Sequence, residues 1–205
     1  NYPNNKVVFE ADESDESFLN SNPYLAIVTN VEPEHMEYYE YDEERFYNAY
    51  RNFLSLAQIR VINAEDEFLS SLEMESIKLY PSKDIKNIEF VLVDGEPHTK
   101  FELLDLGTFE VFGFGNHIAL DAALAILGAL ELGEKLEDIR ENLLHYKGIK
   151  KRFDIVQNRE ECVVIDDYGH HPTEIKVTME SLQIYKNLRD FSKLNVIWQP
   201  HKYSR

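Results

Sequence analysis

Cysteine, basic residues and long apolar stretches are all scarce in this 205-residue chain, and each scarcity excludes something. The single cysteine, Cys162, rules out a disulfide framework; its place in the run Cys162-Val163-Val164-Ile165 predicts an inert buried thiol, as suits a reducing cytoplasm. Only 21 Lys+Arg stand against 38 Asp+Glu, a formal net charge of −17 at pH 7. A field of that sign repels the phosphates of nucleic acids and anionic membranes, so neither is expected as a partner. No apolar run nears the roughly 20 residues of a bilayer span, and residues 1–6 carry no signal-peptide pattern. Also missing are the phosphate-loop pattern G-x-x-x-x-G-K-[ST], the nucleophile elbow G-x-S-x-G and paired metal-binding cysteines. What is present suffices for a folded core, because 43% apolar and 12% aromatic content is too rich for a disordered acidic tail.

Four short apolar runs each lead into residues capable of chemistry. Val7-Val8-Phe9 precedes Glu10-Ala11-Asp12-Glu13-Ser14-Asp15, and Leu25 to Val28 precedes Thr29-Asn30-Val31-Glu32-Pro33-Glu34-His35. Cys162 to Ile165 precedes Asp166-Asp167-Tyr168-Gly169-His170-His171-Pro172, and Leu194 to Trp198 precedes Gln199-Pro200-His201-Lys202-Tyr203-Ser204-Arg205. Unbroken runs of this length predict strands buried on both faces, as in a parallel sheet, joined by crossover helices. Helical spacing is found at 42–57, at His117 to Leu132 before Gly133, at Leu136 to His145, and from a Thr173 cap to about Leu188. The last of these predicts a β-α-β unit from Cys162 to Trp198. Residues 77–114 alternate around the turn Asp94-Gly95 and predict antiparallel strands. An α/β fold follows, with a boundary expected at the basic stretch Gly148 to Arg152, dividing 1–149 from 150–205.

Ligands of open parallel sheets bind beyond the carboxyl ends of strands, which makes all four polar clusters candidates. A run of carboxylates such as Glu10 to Glu16 is ordinarily a solvated loop, but it also suits Mg²⁺, which takes one or two protein carboxylates together with phosphate oxygens. His35 reads either as an exposed loop histidine or as a ligand. Asp166-Asp167 next to a histidine pair is more pointed, since adjacent like charges cost energy unless a ligand or cation uses them. Lys202 and Arg205 beside His201 suit an anion. Taken alone, these residues leave open a metal-dependent hydrolase built on Asp166, Asp167, His170 and His171, and equally a non-catalytic binding module.

Taken in order, the blocks Glu10 to Asp15, Thr29 to His35, Lys151-Arg152-Phe153, Asp166 to Glu174 and Gln199 to Arg205 resemble the Mur ligase family, the ATP-dependent amide ligases of peptidoglycan assembly. The similarity spans nearly the whole chain and is most specific at Asp166 to Glu174. It implies that residues 1–149 form the second half of a central ATP-binding domain, a mixed, mainly parallel sheet with helices that here lacks the phosphate loop. Residues 150–205 would begin a Rossmann-like C-terminal domain that binds the amino acid. This stretch by itself is then expected to be inactive. The implied cofactors are ATP and Mg²⁺, and the implied substrates are UDP-N-acetylmuramate and L-alanine, with a murein tripeptide as the alternative amine. By position the resemblance assigns Glu10 and His35 to Mg²⁺, and His117 and Asp121 to the adenine. It assigns Arg152 and Asp167 to the nucleotide on domain closure and to catalysis with His170. Tyr168, His170, His201, Lys202 and Arg205 fall to the substrates. Ile118 and Asp121 stand where the family motif H-N-x-x-N has asparagines; Asp121 keeps an acceptor, whereas Ile118 can only pack. Glu34 replaces an aspartate, and Lys202 an arginine whose bidentate fork it lacks.

Overall fold

The structure, a computed structural model, describes residues 6–199, so His201, Lys202 and Arg205 lie outside the described residues. The chain divides into two compact units, Asn1–Tyr80 and Pro81–Arg205. The boundary expected at 149/150 falls inside the second.

The first unit is built on a parallel sheet, β1 (Leu25–Val28), β2 (Ile59–Asn63) and β3 (Ile77–Leu79), in that spatial order. Parallel neighbours need crossovers, and helix α1 (Glu43–Leu56) supplies the first, with the short α2 (Glu67–Ser70) between β2 and β3. Asp42 starts α1 by accepting the Arg45 N–H at 3.1 Å, and Glu43 and Glu44 complement the positive end of the helix. Phe46, Ala49, Phe53 and Leu54, spaced by three or four, turn one face of α1 into the core that Ala26 and Val28 of β1 share. Phe18, from a 3-10 turn at Ser17–Asn20, stacks on Phe53 with ring centres 4.8 Å apart.

Two expectations fail in this unit. Val7, Val8 and Phe9 form no strand and are exposed, Val7 at 81%. Among the described residues no strand pairs with them, and an apolar run extends into a sheet only with a hydrogen-bonding neighbour. β1 is buried on one face only, since Ile27 is exposed while its neighbours are not. β2 was not anticipated from the sequence, although Ile59, Val61 and Ile62 form a β-branched run there.

The second unit opens with α3 (Pro81–Asp84) and an antiparallel sheet of β4 (Ile85–Val93), β5 (Glu96–Leu103) and β6 (Thr108–Phe112). Asp94 and Gly95 join β4 to β5 with φ of 53° and 80°, the paired positive values of a type I′ hairpin turn. α4 (Asn116–Glu131) packs an Ala-rich apolar stripe, including Ala119, Ala123 and Leu124, on this sheet and ends at Gly133, whose φ is 81°. α5 (Leu136–His145) follows, then an antiparallel ribbon of β7 (Asp154–Asn158) and β8 (Val163–Asp166), then α6 (Pro172–Leu188). α6 is tied back to the rest of the unit: Ser181 donates its hydroxyl to the Phe114 carbonyl at 2.7 Å, and Tyr185 to that of Gly95 at 3.1 Å.

Here the expectations need correction at three points. Cys162 is exposed, not buried, because it sits at the tight turn of the β7–β8 ribbon, where Arg159 N–H bonds the Cys162 carbonyl at 3.0 Å. Residues 194–198 form no strand; Ile197 is 99% exposed and, among the described residues, no strand pairs with this run, so the β-α-β unit is present there only as β8 and α6. The cap of α6 is His171 rather than Thr173: the His171 ring accepts the Thr173 N–H at 3.4 Å, and Glu174 Oε2 accepts the His171 N–H at 3.1 Å in return.

Replacing Gly95 with alanine puts a side chain on a left-handed residue and its Cβ 3.3 Å from an Arg189 nitrogen. Urea unfolding is expected to show a loss of about 1 kcal/mol. An unchanged midpoint would mean that the turn tolerates other geometries.

Candidate functional site

In the first unit the acidic segment and the histidine loop are bound to one framework. Tyr39, fully buried, donates its hydroxyl to the Glu13 carbonyl, so the loop after β1 grips the acidic segment from below. Arg45 on α1 spans both: its Nε is 3.3 Å from Glu16 Oε1, its Nη1 donates to the Tyr38 carbonyl at 3.3 Å, and its guanidinium lies 5.2 Å from the centre of the Tyr38 ring. Asp66 anchors the loop from the other side. One of its oxygens accepts the Val31 N–H at 2.9 Å, across 35 residues, and the other caps α2 through the Leu69 N–H at 2.8 Å.

Of the two residues assigned to Mg²⁺, His35 lies in the loop that this framework holds. His35 is half-buried in a left-handed conformation, φ 54°, at the start of a turn closed by Tyr38 N–H on its carbonyl at 2.9 Å. The Asp12 carboxyl is held below its usual range by hydrogen bonds from Ser14, which outweigh partial burial, and His35 adds to the effect. Glu10 is exposed, two residues before Asp12 and outside any helix or strand. Among the described residues no three His, Cys, Asp or Glu side chains gather as a protein-only metal cage. Single donors of this kind fit Mg²⁺ bound chiefly through phosphate oxygens and water. They do not fit a tightly caged hydrolytic metal, and the cluster Asp166, Asp167, His170 and His171 does not form one.

In the second unit the hinge stretch and the block after β8 meet. Asp167 turns both oxygens inward: Oδ2 accepts the Phe153 N–H at 2.8 Å, while Oδ1 accepts the Gly169 N–H at 2.8 Å and the Thr178 hydroxyl at 3.2 Å. Tyr168 N–H reaches back to the Lys151 carbonyl at 2.8 Å. Lys151 and Phe153, with φ of 62° and 49°, take up the chain reversal around Arg152. Arg152 Nη1 lies 2.8 Å from Glu174 Oε1, and Glu174 Oε2 accepts the N–H groups of His170 and His171 at 3.0 and 3.1 Å. The rings of Tyr168 and His170 meet edge to face, 5.3 Å between centres. Burial raises the Glu174 carboxyl, but the His170 N–H, the Arg152 guanidinium and the His171 N–H prevail and hold it down to about 2.

His117 enters the same neighbourhood from the first turn of α4. Burial pushes its pKa down, against the pull of Asp167 and Glu180, so the ring is kept neutral. Its placement depends on Gly115, where φ is 132° and a Cβ would come within 2.4 Å of the His117 ring. Gly115 is the supporting residue that motif reading passed over, and Gly113-Phe114-Gly115 ahead of the histidine was its legible signal; Glu174 was quoted within the Asp166 to Glu174 block but given no role. Ile118 packs against Gly113, at 3.2 Å from where a Cβ would stand. Asp121, one turn on, is an exposed residue whose carboxyl is nevertheless pushed up to about 6 by the protein around it, and its charge in turn raises the Tyr146 hydroxyl. The structure therefore brings together Arg152, Asp167, Tyr168 and His170, with His117 within electrostatic reach of Asp167, and Asp121 follows His117 by one turn on the same face of α4.

Comparison with known proteins gives this geometry a lineage. Residues 3–126 match the Mur ligase middle domain. The UDP-N-acetylmuramate–L-alanine ligase of Campylobacter curvus is 60% identical over 199 residues, 97% of this chain and 46% of that protein. The ligase of the same name from Helicobacter pylori strain HPAG1 is 59% identical over 203 residues, 98% of this chain and 44% of that protein. A solved UDP-N-acetylmuramate-alanine ligase from Thermotoga maritima is 27% identical with a TM-score of 0.70, over 87% of this chain and 41% of that one. The chain thus spans a little under half the length of the curated relatives it matches.

Two outcomes follow from the supporting contacts. Asp66→Ala removes a helix cap and the Val31 tether together, and a loss of about 1–2 kcal/mol in urea unfolding is expected, with faster amide exchange at Val31; unchanged exchange would free the loop from Asp66. Glu174 has a folded pKa of about 2 below an ordinary 4.5, so its contribution is present above pH 4.5 and is lost as pH falls toward 2. The stability gap between wild type and Glu174→Ala should accordingly close over that window in urea titrations run at several pH values, and a gap independent of pH would contradict the assignment.

Proposed function

Since the chain belongs to the Mur ligase family, we propose that the intact protein is an ATP-dependent ligase that joins L-alanine to UDP-N-acetylmuramate in peptidoglycan precursor synthesis. The observation that carries this reading is the 60% identity, over 97% of this chain, to a curated ligase of that name. In the proposed arrangement residues 1–149 belong to the ATP-binding domain and residues 150–205 begin the amino-acid-binding domain, the two joined at the Gly148 to Arg152 hinge. A site in the cytoplasm, where the nucleotide substrates are, accords with the absence of any described helix long and apolar enough to cross a membrane.

The chemistry asks an anionic carboxylate to approach an anionic triphosphate. Bound Mg²⁺ would offset that repulsion, with Glu10 and His35 as its protein contacts beside the phosphates. A sugar carboxylate oxygen bonds to the γ-phosphorus as the bridging bond to ADP breaks, giving an acyl phosphate. The alanine amine then attacks the acyl carbon, phosphate leaves, and the amine gives up a proton. Arg152 places positive charge near the transferring phosphoryl group when the hinge closes. Asp167 keeps the hinge in register through the Phe153 N–H, and neutral His117 with Asp121 flanks the adenine. Tyr168 and His170, with His201, Lys202 and Arg205 further on, serve the sugar carboxylate and the amino acid. Closure excludes water that would hydrolyse the acyl phosphate.

The test is phosphate release by the intact protein with MgATP and UDP-N-acetylmuramate, adding L-alanine or L-Ala-D-Glu-meso-diaminopimelate separately. Release dependent on L-alanine is expected, and Glu10→Ala or His35→Ala should lower kcat by at least about a hundredfold, with the fold retained by circular dichroism. Release only with the tripeptide would reassign the protein to recycling, and release with neither would leave a binding module.

A further inference from the structure

We propose that Glu174 is a positioning residue of the ligase reaction, one carboxylate that aims the Arg152 guanidinium with Oε1 while fixing the His170 turn with Oε2. The inference rests on the ligase reading above and adds to it a residue outside the nucleotide, metal and substrate sets. Its geometry is specific: Arg152 Nη1 lies 2.8 Å from Oε1, 22 residues back along the chain, and the His170 and His171 N–H groups meet Oε2 at 3.0 and 3.1 Å. Capping α6 occupies only Oε2, and the His171 ring already caps the Thr173 N–H. The other oxygen is therefore spent on Arg152. An ion pair this exposed, with the Arg152 side chain 52% accessible, adds little to stability. What it does accomplish is to remove rotamer freedom from a long cationic side chain that stays accessible to an anionic group. A guanidinium held in direction gives its charge to a phosphoryl group without first being ordered, and a small misplacement of such a group is costly in rate. Because the same carboxylate holds the turn bearing His170, the arginine and the substrate-side histidine are set relative to each other and not separately.

Glu174→Gln in the full-length protein separates the two arms. The amide oxygen can still accept from the His170 and His171 N–H groups, whereas the amide nitrogen meets the guanidinium donor to donor and releases it. Phosphate release with ATP, UDP-N-acetylmuramate and L-alanine should show kcat lower by about tenfold to a hundredfold, with the fold retained by circular dichroism at the assay temperature and KM for L-alanine within about twofold. The double variant Glu174→Gln/Arg152→Ala should be no slower than Arg152→Ala alone, since Glu174 acts through Arg152. A Glu174→Gln rate equal to wild type, additive losses in the double variant, or unfolding of Glu174→Gln would each overturn the proposal while wild-type turnover leaves the ligase reading standing. An inactive wild type would overturn the ligase reading and the role of Glu174 with it.

Discussion

The inward-turned carboxylate of Asp167 is the constraint on which the second unit's candidate residues depend. Its oxygens accept from the hinge at Phe153, from the loop at Gly169 and from α6 at Thr178. A single acceptor bonded to three separate segments fixes the hinge, the loop and the helix in one mutual arrangement, and Arg152, Tyr168 and His170 take their places from it. The bond has a chemical consequence as well. A carboxylate with both oxygens already engaged by protein donors has little accepting capacity left for a further ligand.

The first unit solves a different problem, how to keep several carboxylates near one another in a chain of net charge −17. Backbone carbonyls and aromatic rings carry much of the load. Tyr39 binds Glu13 through its carbonyl, and Arg45 supplies the cation, flanked by the Tyr38 and Tyr39 rings and paired with Glu16. Carboxylates at Asp12, Asp15 and Asp66 are turned onto backbone N–H groups, each an acceptor for a donor that would otherwise be unsatisfied. Glu10 stands at the exposed end of the segment.

Residue patterns made some of this legible and hid the rest for physical reasons. Helical spacing located α1, α4, α5 and α6 within a residue or two, because a buried stripe of Phe46, Ala49 and Phe53 or of Ala119 and Ala123 is written directly in the sequence. The Asp94-Gly95 turn was legible because few dipeptides tolerate two positive φ values. Apolar runs misled at Val7 to Phe9 and Leu194 to Trp198, since a strand is a property of a pair and periodicity describes only one member. Cys162 misled in the same way: its neighbours read as core, but the turn at Arg159 carries it to the surface. Of the candidate site, motif order named the residues that carry chemistry, whereas the contacts of Asp66, Arg45, Gly115 and Glu174 run to backbone groups and rings that no local pattern displays.

The central claim is that the intact protein activates a sugar carboxylate by phosphoryl transfer. It is tested most directly by supplying UDP-N-acetylmuramate labelled with ¹⁸O in that carboxylate, together with ATP, Mg²⁺ and L-alanine, and measuring the label in the phosphate released. An acyl phosphate that breaks at its carbon–oxygen bond carries one labelled oxygen into each phosphate, and that is the result the account predicts. Phosphate without label, released alongside amide product, would contradict it.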